Sequence, residues 1–545
     1  MHRLYAIALS TVFAIAAGDL RASGRSAESV AAWREDIELL HRELPRVHKN
    51  AFHSMSREDL DAMVKHLSAV VPDSEDHEIV AGIARIVARV GDGHTHLNPS
   101  RLSGFRMLPL RFYLFSDGLF ITSAAEGQAA LVGAKVLRIG NLRVGEAIER
   151  LMEVTPRDNE MSARSMVAVH LGIPELLHAL GVTDSRYRVT LEVEKGGGVR
   201  RETIEPVGFG DLRSLTMVGA LPEGRAPLYL RARPDWPMQP LAKNFWYEVL
   251  PQEKAVYVKF DAVQWQDDLS PGRFFDEVFR LLDASPGYKL VIDVRNNGGG
   301  NNTLALPIVH GIIKRDEINQ RGRLFTIIGR ETFSAAQNFV NLMEKHTNTM
   351  FAGEPSGARP NHYGDPAPIR LPNSGIEIRA STLWWQDVHP ADDRAWTAPH
   401  LAVEISSADY FAGRDPVLET VLAYDESSTL RAKMLSGLRA AGIAGAIEAY
   451  GTYKNDPVNR HQALRGELSS LGSALLAEEK IDEAIAVFAL NTRENPEAAN
   501  FWHSLGDAYA RKGDRKAALA AYEKAVELAP YVGLFRRKLE EARKE

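Results

Sequence analysis

"KLVIDVRNNGGGNN", residues 289–302, runs from a short apolar segment straight into an arginine, two asparagines and three glycines. Leu290 to Val294 is compact and rich in branched side chains, the pattern of a strand buried on both faces of a parallel sheet. The neighbouring runs agree with that reading. "AVYVKF" (255–260) reads as a strand, "GRFFDEVFRLLDAS" (272–285) as a helix, "LFTIIG" (324–329) as a strand, "AAQNFVNLMEKH" (335–346) as a helix and "TMFAGE" (349–354) as a strand. Such alternation predicts an α/β sheet with crossover helices, and it puts chemistry in the loops that follow the strands' C-terminal ends.

Two of those loops carry candidate chemistry. Gly298, Gly299 and Gly300 let the backbone present N–H groups with no side chain in the way, which suits a phosphate or an oxyanion. A phosphate loop would continue Gly-Lys-Ser/Thr, whereas this one continues Asn301-Asn302-Thr303, and the dinucleotide G-x-G-x-x-G spacing is absent. A flexible glycine turn is the plain alternative. In "IGRETFSAAQNF" (328–339) a strand ends and Ser334 stands at the start of a helix. A serine there is most often a helix N-cap. The same position also stabilises developing negative charge, which suits a nucleophile.

Composition bounds the rest. The 545 residues are 45% apolar and 25% charged, an ordinary soluble composition long enough for several domains. A formal charge of −6 with no dense basic block argues against a nucleic-acid partner. The absence of cysteine excludes disulfides, thiolate zinc sites and a cysteine nucleophile. His2 and Arg3 followed by "LYAIALSTVFAIAA" (4–17) read as a signal peptide over 1–24, too short to span a bilayer, so an exported protein, periplasmic or extracellular, is expected, with no membrane span in the mature chain.

Residues 25–100 carry helical periodicity in "SVAAWREDIELLHRELPRVH" and "HEIVAGIARIVARVG", and they end in the "GDGHTH" motif at 91–96. Residues 101–210 turn to short strands, and with "GAKVLRIGNLRV" (133–144) they resemble a PDZ-like peptide-binding module. The α/β region occupies 211–425 and a helical linker 426–462. In 463–545, Leu471, Gly472, Ala484, Phe488 and Pro496 recur 34 residues later as Leu505, Gly506, Ala518, Tyr522 and Pro530. That period and pattern fit two tetratricopeptide repeats with a capping helix, a unit that binds a protein partner or packs on its neighbour.

"VIDVRNNGGG" and "TFSAAQNF", continued by "FAGEPSGARPNHYGD" (351–365), resemble the tail-specific (C-terminal processing) and tricorn-core family of serine peptidases over roughly residues 225 to 425. The resemblance implies a multidomain protein whose α/β core is of the ClpP/crotonase kind. It implies Ser334 as nucleophile, and backbone N–H groups of Gly299 (or Gly298) and Ala335 as the oxyanion hole. One branch of that family takes its base from a lysine in a "GKG"-like turn. Here Ala358 or Arg359 fills that place, and Lys345, eleven residues along the helix, would lie about 16 Å from Ser334. The tricorn-like branch uses an upstream histidine, and His94 of "GDGHTHL" matches it. The resemblance then puts Asp393 in the register of the acidic residue that orients the base, with Asp392 and Asp387 as competitors.

A metal reading competes at the histidines, since "DGHTH" also fits the H-x-H clamp of zinc amidohydrolases. That clamp ends a barrel strand, whereas a helical pattern precedes it here and the eight-fold strand–helix repetition of a barrel is missing. The expectation is therefore a peptidase acting on peptide or protein substrates, with no metal and no cofactor. Its rival is a catalytically inactive peptide-binding scaffold working through the repeat tail.

Overall fold

The computed structural model describes residues 25–98, 102–212, 214–219, 221, 226–231, 233 and 241–544; the signal peptide expected over 1–24 lies outside them. Three helices, Ala27–Val47, Arg57–Val70 and Asp76–Arg89, come first among the described residues. Ser26 caps the first by accepting the Ser29 N–H, and a Ser56–Asp59 capping box starts the second. Ile37, Leu40 and Leu44, then Leu60, Val64 and Leu67, lie on the buried stripes that helical spacing requires. Gly91, at φ 86°, ends the third helix and releases the chain into the Asp92-Gly93-His94 turn.

A seven-stranded antiparallel sheet follows. Its path is Met217–Gly219, Gly118–Ala125, Lys135–Ile139, Val189–Lys195 and Gly198–Ile204, with Leu110–Phe115 also paired to Gly118–Ala125 and Leu142–Arg143 to Lys135–Ile139. The helical and β-rich segments do not have separate cores. One apolar cluster runs from Ile37 through Val87, Leu110 and Ile121 to Val189, Leu191 and Val193, and takes in Ile369, Ile376 and Ile378 from far along the chain. The expected boundary near residue 100 thus crosses a continuous core.

The α/β region is a six-stranded sheet in the order Phe245–Leu250, Ala255–Phe260, Lys289–Asp293, Leu324–Ile328, Met350–Gly353 and Leu401–Ala402. The first pair is antiparallel and the rest are parallel. Period-two alternation divides each strand between two cores: Val256, Val258 and Phe260 face the helices Pro271–Asp283, Leu306–Ile313 and Ala335–His346, while Tyr257 faces the helix Pro416–Ala423. Both faces are covered, which is why these strands read as nearly unbroken apolar runs.

One hairpin joins the two regions. Asn361–Arg370 pairs with Glu377–Gln386, and the second strand also pairs with His96–Leu97, His96 facing Arg379. The buried Asp36 carboxylate accepts the N–H groups of Asn373 and Ser374 at the hairpin's tip, at 2.9 and 2.8 Å. This clasp brings the His94 turn to the α/β sheet.

The tail is helical. Leu430–Asn455, broken at Ala441 and Gly442, packs with Leu464–Ala477 and Ile481–Glu494 around Met434, Tyr450, Leu468 and Phe488, so the 426–462 segment belongs to the repeat array's core. Ala499–Lys512, Arg515–Leu528 and Gly533–Lys544 complete it. A Cβ at Gly472 would stand 2.7 Å from the Phe488 ring, and one at Gly506 would stand 2.6 Å from the Tyr522 ring. The repeat thus spaces the same glycine–aromatic contact 34 residues apart. Among the described residues no helix is long and apolar enough to cross a membrane.

Candidate active site

Strand Leu324–Ile328 ends in Gly329, and five residues later Ser334 begins the helix Ala335–His346. Ser334 occupies the N-cap position but makes no capping hydrogen bond. Its backbone sits at φ 54°, ψ −128°, a conformation that costs a non-glycine residue on the order of 1–3 kcal/mol. The turn is held from several sides. The Thr332 hydroxyl donates to the Val294 carbonyl (2.9 Å) and accepts the Gly329 N–H (3.0 Å), and the Phe333 N–H donates to the Asn297 carbonyl (3.0 Å). The hydroxyl so presented lies 2.9 Å from His94 Nε2, across 240 residues of sequence. The N-cap alternative therefore fails at Ser334, whose side chain faces a histidine.

His94 is almost fully buried, stacked on the Phe333 ring (centroids 4.4 Å apart, 25° between planes) and parallel to His362 at 5.8 Å. Burial, reinforced by the nearby His362, pushes its pKa down to about 3, while the Asp92 charge opposes the shift. The ring is thus neutral at ordinary pH, with a nitrogen directed at the serine hydroxyl. Asp92 anchors this turn. Its Oδ1 accepts the N–H groups of His94 (2.9 Å) and Thr95 (2.7 Å) and the Ser381 hydroxyl (2.8 Å), and its Oδ2 accepts from His48 Nε2 (2.8 Å). Burial alone would raise the Asp92 pKa; the His48 bond and charge, with the Ser381 and Thr95 bonds, outweigh it and hold Asp92 at about 2.

The glycine turn abuts the serine. At Gly299, φ 112°, a Cβ would lie 2.7 Å from Ser334 Cβ and 3.0 Å from Ala335 N; at Gly300, φ 138°, one would lie 2.3 Å from the Val263 carbonyl oxygen. Only glycine fits either place. The Gly299 N–H donates to Asn297 Oδ1 at 2.9 Å, so it is engaged, whereas those of Gly298 and Ala335 have no acceptor among the described residues. Beneath the turn a buried ion network fixes the strand end: Arg295 makes a bidentate pair with Asp415 (2.9 Å each) and bonds Asp293, which Tyr257 also donates to at 2.6 Å. A cleft of about 460 Å³ opens beside the turn, lined by Gly298 to Gly300, Phe112, Leu114 and Arg164.

Asp393 does not join this group. It is exposed and makes no hydrogen bond to His94, whose buried Nδ1 meets no side-chain partner among the described residues and has only the Tyr363 backbone beside the ring. The competitors are tied elsewhere. Asp387 Oδ2 accepts from Asn338 (2.6 Å) and Asn341 (3.1 Å) on the serine helix, and Asp392 is held by Arg394, itself paired to Glu344. The segment that carries all three thus fastens the hairpin to that helix and turns Asp393 outward. The lysine position is accounted for as well: Ala358 is fully buried, Arg359 Nε donates to the Asp158 carbonyl at 2.9 Å, and Lys345 is exposed at the far end of its helix.

His96 turns back, its Nδ1 lying 2.9 Å from the His94 carbonyl oxygen, so the two histidines do not converge as a clamp. His48, His53 and Asp92 do bring ligand-type atoms within 4.8 Å of one another. His48, however, accepts the Asn50 N–H at Nδ1 (2.9 Å) and donates to Asp92 from Nε2, so both of its nitrogens are already used. Sequence reasoning passed over His48, Ser381 and the role of Asp92. The signal lay in "GDGH" itself, since an aspartate two residues before a histidine can accept that histidine's own N–H.

No curated protein sequence matches this chain. The tetratricopeptide-repeat profile matches residues 499–531. Among solved structures, mature CPAF in complex with lactacystin aligns at a TM-score of 0.51 and 14% identity, over 73% of this chain and 98% of that one. Mature CPAF alone gives 0.50 and 14%, over 73% and 97%. The photosystem II D1 C-terminal processing protease aligns at 0.34 and 12%, over 71% and 98%. The structural neighbours of this chain are CPAF and proteases of the C-terminal processing, tricorn and S41 kinds, and its tail carries a tetratricopeptide repeat.

Proposed function

We propose that the protein is an exported serine peptidase in which Ser334 attacks a peptide carbonyl and His94 takes the hydroxyl proton and returns it to the leaving amine. The observation that carries this reading is the 2.9 Å contact between His94 Nε2 and a serine held in a strained, uncapped helix start. The N–H groups of Gly298 and Ala335 are the oxyanion donors, with the Gly299 N–H kept on Asn297. Substrate occupies the cleft beside the glycine turn, delivered by a PDZ-like module across 101–210 to a core of the ClpP/crotonase kind. The repeat tail engages a protein partner or the substrate itself. The positive His2–Arg3 pair followed by the apolar run at 4–17 supports export.

The inactive-scaffold reading draws on one observation, the outward Asp393. Peptide hydrolysis separates the two. Ser334→Ala is expected to abolish turnover, and His94→Ala to reduce it by several orders of magnitude, far more than His96→Ala. Chelators are expected to leave the rate unchanged. Equal damage from both histidine variants together with chelator sensitivity would instead mark a metal site.

A further inference from the structure

A general base that becomes an imidazolium needs an anion near it, and neither Asp393 nor its competitors supply one at His94 Nδ1. The rings of Phe333 and His362 fix the plane of the imidazole but bring no anion. Asp92 is a buried carboxylate in the same turn, and its four hydrogen bonds come from two backbone amides, a hydroxyl and one imidazole. His48 Nε2 donates to it, while the His48 Nδ1 accepts the Asn50 N–H. No guanidinium or ammonium bonds to Asp92 among the described residues. A buried anion held by amides, a hydroxyl and one imidazole, with no guanidinium or ammonium on it, is costly to hold, and a site that creates a cation on every turnover uses it.

We propose that Asp92 is the positioning residue of the base: it fixes the backbone that carries His94 and provides the charge that balances the imidazolium. The proposal rests on the reading of Ser334 and His94 as a nucleophile–base pair. The Ser334 Oγ–H proton passes to His94 Nε2 as the Oγ–C bond forms and the carbonyl π electrons move to oxygen. When the tetrahedral species collapses, the C–N bond breaks and the same proton goes to the departing nitrogen. Asp92 stays ionised throughout and takes no proton.

Other charges face the pair. His362, backed by Asp387, comes from the hairpin; His96 belongs to the same segment; His48 and His53 follow the first helix; Asp158 and Arg359 approach from the loops at Gly93. Of the carboxylates, Asp387 is bonded to the serine helix and Asp158 Oδ1 accepts the Gly93 N–H at 2.6 Å, its pKa pushed up to about 7 by burial and the Asp92 charge. Asp92, whose carboxyl is held below its usual range, is the one that accepts the backbone N–H of His94.

The test uses the full chain, with Ser334 captured by a peptidyl phosphonate and His94 observed by NMR of ¹³Cε1-labelled histidine. Asp92→Asn keeps the shape of the side chain and removes its charge. The expected result is a fall of about 100-fold in kcat with KM little changed, larger than the loss from Asp393→Asn. In the phosphonate adduct the pH at which His94 gives up its proton should drop by about one unit or more. Ser381→Ala strips one donor from the carboxylate and should move that pH upward; it decides the matter if Asp92→Asn does not fold. An unchanged His94 titration in Asp92→Asn, or in Ser381→Ala where the first variant is unfolded, overturns the proposal. A wild-type protein that is not labelled at Ser334 refutes instead the peptidase reading beneath it.

Discussion

Gly299→Ala is a sharp perturbation because the structure says what one methyl group would meet. The new Cβ would stand 2.7 Å from Ser334 Cβ and 3.0 Å from Ala335 N, on a backbone at φ 112°. Carbon atoms in contact prefer about 3.5–4.0 Å, so the serine turn must retreat by about 1 Å. It cannot do so without stretching the Thr332–Val294 and Phe333–Asn297 bonds. Backbone strain of order 1–3 kcal/mol, with overpacking of similar size, gives an expected destabilisation of about 2–4 kcal/mol. A shift of about 1 Å at a nucleophile also costs roughly 100-fold in rate. Urea denaturation measures the first effect and the rate of phosphonate capture at Ser334 the second. Gly298→Ala is the stability comparison, since its Cβ would enter open space and should cost little. A Gly299→Ala protein with wild-type stability and wild-type capture would refute the claim that the glycine turn and the serine are pressed together.

Ser334→Gly should raise stability above that of Ser334→Ala by roughly 1 kcal/mol, because it relieves a φ of 54° that alanine must still adopt; paired melts of the two variants check this. Acidification should destabilise the fold between about pH 6.5 and 4. Burial holds His94 down to about 3 and His170 and His400 to about 4, so below their ordinary pKa the unfolded chain binds protons that the folded chain refuses. Each such group contributes up to ~1.4 kcal/mol per pH unit across that window. Asp158, raised to about 7, takes up a proton first in the folded state and offsets one of the three. A melting temperature flat from pH 7 to 5 would contradict the burial of these histidines. Truncation at residue 462 should leave Met434, Tyr450 and Tyr453 without the helices that cover them, and light scattering should show association, whereas truncation before Leu430 should remain soluble.

The α/β sheet was legible because strands covered on both faces must be apolar throughout, as "KLVIDV" and "LFTIIG" are, with amphipathic helices between them. Gly299 and Gly300 were legible for the same local reason, since a positive φ in contact with another backbone leaves glycine alone. The repeat tail announced itself through its period. Asp393 was placed by register along the chain, and register says nothing about which way a loop residue turns; Asn338 and Asn341 took up Asp387 and fixed the segment with Asp393 outward. The shared core of the helical and β-rich segments was hidden because it is closed by Ile369 to Ile378, nearly 300 residues after the helices they cover. The same distance concealed Ser381, whose bond to Asp92 forms only when the hairpin folds back.

The pairing of Ser334 with His94 is the claim on which the account depends, and capture by a peptidyl phosphonate tests it most directly. Wild-type protein should be modified once, at Ser334 by peptide mapping, and His94→Ala should slow that modification by several orders of magnitude while His96→Ala leaves it nearly intact. Modification at another residue, or capture at Ser334 that proceeds equally fast without the His94 imidazole, would contradict it.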